Sequence, residues 1–189
     1  MKKHVVILGA NGGIGSEIVK SFSNYNITKI TKKEIDLSIN SPVSIIKNLN
    51  PDIIINAAGM FGKNCVDYDK VFNVNVKSNW DIIKYYMDNP SNKVVKIMMI
   101  GSSAYTQGRK DYILYAASKS ALHNMFEGSS ESLAKSNIIL GLIHPTRVDT
   151  KMLDGVVNNR DSCLSPKYVA EQIKIFTETI NKSKYINLN

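Results

Sequence analysis

The chain is short of cysteine, arginine, tryptophan and long apolar runs, and each shortage closes off a class of protein. Cys65 and Cys163 stand far apart with no metal-like or redox-motif spacing, so no thiol centre is expected and a reducing, cytoplasmic compartment fits. The longest apolar stretches, Val5 to Leu8 and Ile97 to Ile100, fall far below the roughly 18 residues of a bilayer span, so no membrane partner is expected. Met1-Lys2-Lys3 ahead of an apolar run imitates a signal peptide, but the run stops at Asn11 and no cleavage-type segment follows, so the start reads as a first strand. His4, His123 and His144 share no metal-ligand spacing; surface or packing roles are expected of them, and no metal. No Gly-x-Ser-x-Gly surrounds any serine, which argues against a serine hydrolase. Repeats, low-complexity tracts and linkers are also missing, so residues 1–189 are expected to form a single domain.

What the chain has in excess is lysine. Basic residues outnumber acidic ones by 24 to 16, a net charge of +8, yet only Arg109, Arg147 and Arg160 are arginine. Asn and Ile are abundant too, so compositional bias accounts for much of the charge and no nucleic-acid partner is expected.

Short apolar, β-branched runs alternate with helical periodicity along the whole chain, the pattern of a doubly wound parallel α/β sheet with helices on both faces. Strands are expected at Val5 to Leu8, Ile27 to Thr31, Ile35 to Leu37, Ile53 to Ile55, Val94 to Ile100, Ile138 to Ile143 and Tyr185 to Leu188. Helices are expected at about 13–22, after Ser41-Pro42, at about 68–88, 112–134 and from Ser165-Pro166 to about 180. In the 68–88 helix the buried stripe is read as Phe72, Val76, Trp80, Ile83 and Met87. Residues 149–164 read as a mobile loop or short helix.

Two local patterns carry chemistry. Gly9-Ala10-Asn11-Gly12-Gly13-Ile14-Gly15 joins the first strand to the first helix, where glycines permit a sharp turn and the helix N-terminus offers free N–H groups to a pyrophosphate. Tyr115 and Lys119 lie four apart on one helical face, and an ammonium beside a phenol favours the phenolate. Ser102, just past a strand end where open α/β sheets place ligands, gives that pair its meaning; Ser103 competes for the same part.

With these residues in hand the chain resembles the short-chain dehydrogenase/reductase family over nearly its whole length. The family's Gly-x-x-x-Gly-Ile-Gly turn is matched by Gly9, Gly13, Ile14 and Gly15, with Asn11 and Gly12 inside it. Its Asn-Ala-Ala-Gly motif is matched by Asn56, Ala57, Ala58 and Gly59, and its adenine-contacting acid by Asp36 followed by Leu37. Its helical asparagine corresponds to Asn75, its serine to Ser102 by gapless spacing to Tyr115, and its Tyr-x-x-x-Lys to Tyr115 and Lys119. The Pro-Gly segment after the sixth strand corresponds to Pro145 through Val148 to Thr150.

The resemblance implies a Rossmann-type nucleotide fold and hydride transfer between NAD(P) and a carbonyl or alcohol carbon. It makes Tyr115 the acid or base, Ser102 the group that holds the reacting oxygen, Lys119 the partner of both ribose and Tyr115, and Asn75 the holder of a relay water. Family members are often dimers or tetramers, so a homo-oligomer is expected. Lys32 and Lys33 after the second strand favour NADP over NAD, with Glu34 pulling the other way. Arg109 and Arg160 border the expected pocket and suit an anionic substrate group. The alternatives are a sugar or sugar-nucleotide reductase or epimerase of the same superfamily, and a catalytically silent dinucleotide sensor. The chain departs from the pattern at Leu8, at Thr146 after Pro145, and in the near absence of residues between the second and third strands.

Overall fold

Val5 to Leu8 and Ile53 to Ile55 are apolar at every position, which suits strands covered on both faces. The computed structural model describes residues 2–62, 67–156 and 159–189. In it six parallel strands form one sheet: β1 (His4–Leu8), β2 (Asn26–Ile30), β3 (Ile53–Asn56), β4 (Val95–Ile100), β5 (Ile138–Pro145) and β6 (Lys184–Leu188). Their order is β2-β1-β3-β4-β5-β6, with Val5 opposite Ile53 and Leu8 opposite Asn56. The chain reverses direction across the sheet between β1 and β3, and such a switch point opens a crevice at the carboxyl ends of the two strands.

The helices are α1 (Gly13–Ser21), α2 (Val43–Ile46), α3 (Tyr68–Phe72), α4 (Ser78–Asp88), α5 (Ile113–Ser132) and α6 (Pro166–Thr179). Alternation along the strands divides the core in two. Val6, Leu8, Ile54, Ile97, Met99 and Leu140 face Ile46, Ile82, Ile83, Leu122 and Phe126 from α2, α4 and α5. Val5, Ile7, Ile55, Met98 and Ile143 face Ile18 and Phe22 from the α1 side and Val169, Ile173 and Phe176 from α6. Ser165 caps α6 by accepting from Tyr168 N, ahead of Pro166 in the first turn.

Two expectations are corrected. Ile35 to Leu37 is not a strand. Only residues 31–34 separate it from β2, whereas a parallel neighbour needs a crossover of roughly a dozen residues. The segment turns instead, with Glu34 N and Ile35 N bonded to Thr31 O, and its Ile35 and Leu37 side chains still reach the core. The stripe on the 68–88 helix is also displaced. A π-helical turn at Asn73–Lys77 separates α3 from α4, and the buried residues are Val71, Asn75, Ser78, Asn79, Ile82, Ile83 and Tyr86, while Trp80 is 39% exposed. Ile83 of the expected stripe is buried and Met87 packs against the core, but the buried face also carries Asn75, Ser78 and Asn79, with Ser78 and Asn79 bonded to Asn56 of β3 and Asn79 to Asn75 O, so hydropathy marks only part of the row. Cys65 lies outside the described residues.

Candidate active site and dinucleotide cradle

The glycine turn is packed from every side. Gly9 has φ +70°, and a Cβ on it would come within 2.6 Å of Ala58 N. A Cβ on Gly15 would meet Gly9 O, and one on Gly13 would meet the Thr150 side chain. Gly12 is the N-cap of α1, no side chain caps it, and among the described residues no acid occupies the first turn. That end of α1 keeps its positive pole and open N–H groups, which fits a pyrophosphate.

The opposite wall is built by β3. Asn56 Nδ2 donates to Ser78 Oγ and Asn79 Oδ1, both at 3.0 Å, while Oδ1 accepts from Ala58 N at 3.2 Å. The side chain is therefore used to shape the Ala57-Ala58-Gly59 turn. In the segment after β2, Asp36 Oδ1 accepts from Ser38 N at 3.0 Å and Ser38 Oγ at 2.7 Å, and Oδ2 pairs with the Lys32 ammonium at 3.1 Å. The Ser38 bonds, then Lys32, hold its carboxyl at about 2. Leu37 packs its side chain into the core.

From the β5 side, Val148 pairs with Leu164 and Asp149 N bonds Leu164 O, closing the neck of a loop that carries Thr150 and Met152. Arg160 does not reach into the pocket as a free cation. Its Nη atoms pair with Asp149 and Asp154, each at 2.6 Å, so both ends of the fork hold its own loop. Arg109 lies half-buried ahead of α5, and with the Gln107 amide oxygen turned toward it that oxygen accepts at 2.7 and 2.8 Å. Arg147 is exposed.

Ser102, Tyr115, Lys119 and Asn75 converge where β4 meets α5. Lys119 is 4% exposed; its Nζ donates to Ile100 O at 2.8 Å and sits 5.7 Å from the Tyr115 ring centre. Burial pushes the Lys119 ammonium down to about 8. Burial raises the Tyr115 phenol, a hydrogen bond with the Ser102 side chain opposes this, and Tyr112 adds to it. The phenol is thus held protonated, as a proton donor needs to be.

Asn75 clamps backbone: Oδ1 accepts from Met60 N at 2.8 Å, and Nδ2 donates to Met60 O and Ser118 Oγ at 2.9 Å each. Those bonds fix Phe61, which sequence reasoning missed. Its ring meets Tyr115 edge-on at 4.8 Å and Tyr112 at 5.2 Å, giving the site an aromatic wall. Only the position of Phe61 shortly after Gly59 could have flagged it. A cavity of about 530 Å³ lined by Ile46, Lys47, Tyr85, Tyr86 and Lys93 lies near residues that precede β3 and β4, at the end of the sheet away from this chemistry. We place the site by its donor set and by the switch point.

Fold and site together describe a dinucleotide-binding type of α/β protein, with a glycine turn at the β1–β3 switch point and a Ser102, Tyr115 and Lys119 cluster where β4 meets α5. The sequence profile of the family described as short chain dehydrogenase matches residues 43–161, and the chain belongs to that family. Membership makes it a nicotinamide-dinucleotide oxidoreductase acting on a CH–OH or C=O carbon. It is 29% identical over 204 residues to 3-oxoacyl-[acyl-carrier-protein] reductase of Buchnera aphidicola, covering 90% of this chain and 82% of the relative. An uncharacterized oxidoreductase of Staphylococcus epidermidis is 21% identical over 224 residues, covering 100% of this chain and 95% of the relative. Among solved structures, a 4-hydroxyisoleucine dehydrogenase complexed with NADH superposes with a TM-score of 0.81 at 22% identity, covering 99% of this chain and 97% of the other. A Burkholderia cenocepacia short chain dehydrogenase in complex with NADP gives a TM-score of 0.82 at 20% identity, covering 99% and 96%.

Proposed function

We propose that the chain reduces a small carbonyl compound with NADPH, with Tyr115 as the proton donor. The observation that carries this is the Ser102 side chain meeting the Tyr115 phenol beside a buried Lys119, across the crevice from the uncapped end of α1. A bound dinucleotide supplies and accepts the hydride. Ser102 holds the reacting oxygen, Tyr115 gives that oxygen its proton, and Lys119 stabilises the phenolate that is left. Gly12, Gly13, Ile14, Ala58 and Thr150 shape the pyrophosphate wall, and Asn75 holds the Met60–Phe61 segment against Tyr115.

The preference for NADPH rests on the turn after β2. Glu34 accepts from Thr31 N at 2.7 Å and Thr31 Oγ1 at 2.6 Å, so its carboxylate is drawn away from ribose hydroxyls, while the Lys32 side chain is 79% exposed. Equal or better turnover with NADH would refute the preference. Arg109 supports an anionic substrate group, and Cys163 as a free thiol suits the cytoplasm. A homodimer is supported by the outward apolar residues Tyr68 and Trp80 along α3 and α4.

The test is a cofactor-consumption screen over ketones, aldehydes and keto sugars, with Tyr115→Phe as control. Turnover should fall about 100-fold or more in the variant while NADPH still binds. Undiminished activity would remove Tyr115 from the mechanism.

A further inference from the structure

Behind Ser102 lies a chain of two histidines that the proposed chemistry does not use. His144, at the end of β5, is 1% exposed, and its ring occupies the space where a Cβ on Gly101 would stand. Ser102 N donates to His144 Nδ1 at 3.2 Å, and Ser102 O lies equally near the same nitrogen. On its other side His144 Nε2 faces His123 Nδ1 of α5 at 3.0 Å, and His123 Nε2 faces the exposed Glu127 carboxylate at 3.6 Å. Tyr105 stacks on His144 with ring centres 4.0 Å apart.

Proton accounting selects one arrangement. A neutral imidazole has a single N–H. Ser102 O already accepts from Tyr105 N at 3.1 Å, whereas Ser102 N has His144 as its partner. The ring proton of His144 therefore belongs on Nε2, donated to His123 Nδ1, and His123 carries its own proton on Nε2, toward Glu127. Burial keeps His144 neutral, pushed down to about 4, with His123 adding to the effect.

We propose that His144, fixed in one tautomer by His123, is a positioning residue for Ser102: its bare Nδ1 holds the Ser102 N–H and so sets where the serine hydroxyl meets the reacting oxygen. Ser102 Oγ also accepts from Ala104 N at 3.2 Å, so backbone placement and hydroxyl direction are coupled through one short turn. The inference rests on the reading of Ser102 as the group that binds that oxygen.

The test has two arms. Long-range ¹H–¹⁵N spectra of the whole protein should show both His144 and His123 as Nε2–H tautomers; an Nδ1–H form of His144 would overturn the proposal. In the second arm His144→Asn, whose Oδ1 can stand near the Nδ1 position as an acceptor, is compared with His144→Leu and His123→Leu. With a carbonyl that the wild type reduces, His144→Leu should lower kcat about tenfold with the NADPH dissociation constant changed by less than about twofold, His144→Asn should recover most of the loss, and His123→Leu should fall between. Equal losses in the two His144 variants, or weakened NADPH binding that accounts for the loss, would mean that the ring merely packs and would overturn it. Should His144→Leu not fold, the tautomer spectrum and the other two variants still decide. The spectra need no turnover, so a wild type inert on every carbonyl would count against the reductase reading alone.

Discussion

Lys119 should cost this protein stability, and the cost should depend on pH. The ammonium is 4% exposed, donates to Ile100 O, and among the described residues has no carboxylate partner. The fall from 10.5 to about 8 corresponds to about 3 kcal/mol, at about 1.4 kcal/mol per factor of ten in proton affinity. Its sign follows from proton binding: between about 8 and 10.5 the unfolded chain holds more protons at this site than the folded one, so the contribution to stability rises with pH through that window and is most unfavourable below it. Replacing the amine by a methionine of similar length removes the penalty and forfeits one hydrogen bond of about 1 kcal/mol. Lys119→Met should therefore be more stable than wild type by about 2 kcal/mol at pH 7, a rise in Tm of about 4–8 °C for a chain of this size, while losing turnover. Near pH 9.5 about 1 kcal/mol of penalty remains, and the two proteins should be nearly equal. Urea unfolding followed by far-ultraviolet circular dichroism at the two pH values measures both numbers. A variant less stable than wild type at pH 7, or a difference that does not shrink toward pH 9.5, would refute the reasoning.

Other perturbations separate binding from scaffolding. Asn75→Ala strips Met60 and Ser118 of three bonds, of which Ser118 keeps its donation to Tyr115 O; a loss of about 2–3 kcal/mol and a marked drop in kcat are expected, checked by thermal melts and turnover. Gly13→Val would drive a side chain into Thr150 and should weaken NADPH binding about tenfold or more by titration, with a folded spectrum retained. Arg160→Gln releases the Asp149–Asp154 clamp at the loop neck and should raise the KM for NADPH; a rise confined to the KM of an anionic carbonyl would instead return Arg160 to the substrate. Trp80→Asp should shift a dimer toward monomer in sedimentation, and an unchanged mass would remove α4 from the interface.

The parts of the site legible in the sequence are those whose chemistry is local. Gly9 to Gly15 had to be a strand-to-helix turn because only glycines tolerate the +70° backbone at Gly9 and the approach of Ala58, and Tyr115 and Lys119 share a face by helical spacing alone. Asn75 was found, but its use was not: the partner atoms on Met60 and Ser118 lie 15 and 43 residues away in sequence. Arg160 looked like an anion site because its carboxylate partners become neighbours only once the loop has folded.

The sequence by itself determined the alternation of strands and helices, the glycine turn and the shared face of Tyr115 and Lys119, since these follow from side-chain period, backbone sterics and short spacings. The tertiary structure decided that Ile35 to Leu37 would turn rather than pair, because a short connection cannot cross to a parallel neighbour. It also decided which row of α4 is buried, since the polar groups of Ser78 and Asn79 can go inside only when Asn56 arrives from β3 to complete their hydrogen bonds. The same holds for the His123–His144 chain behind Ser102, where hydrogen bonds between distant segments exist only after β4, β5 and α5 have closed around them.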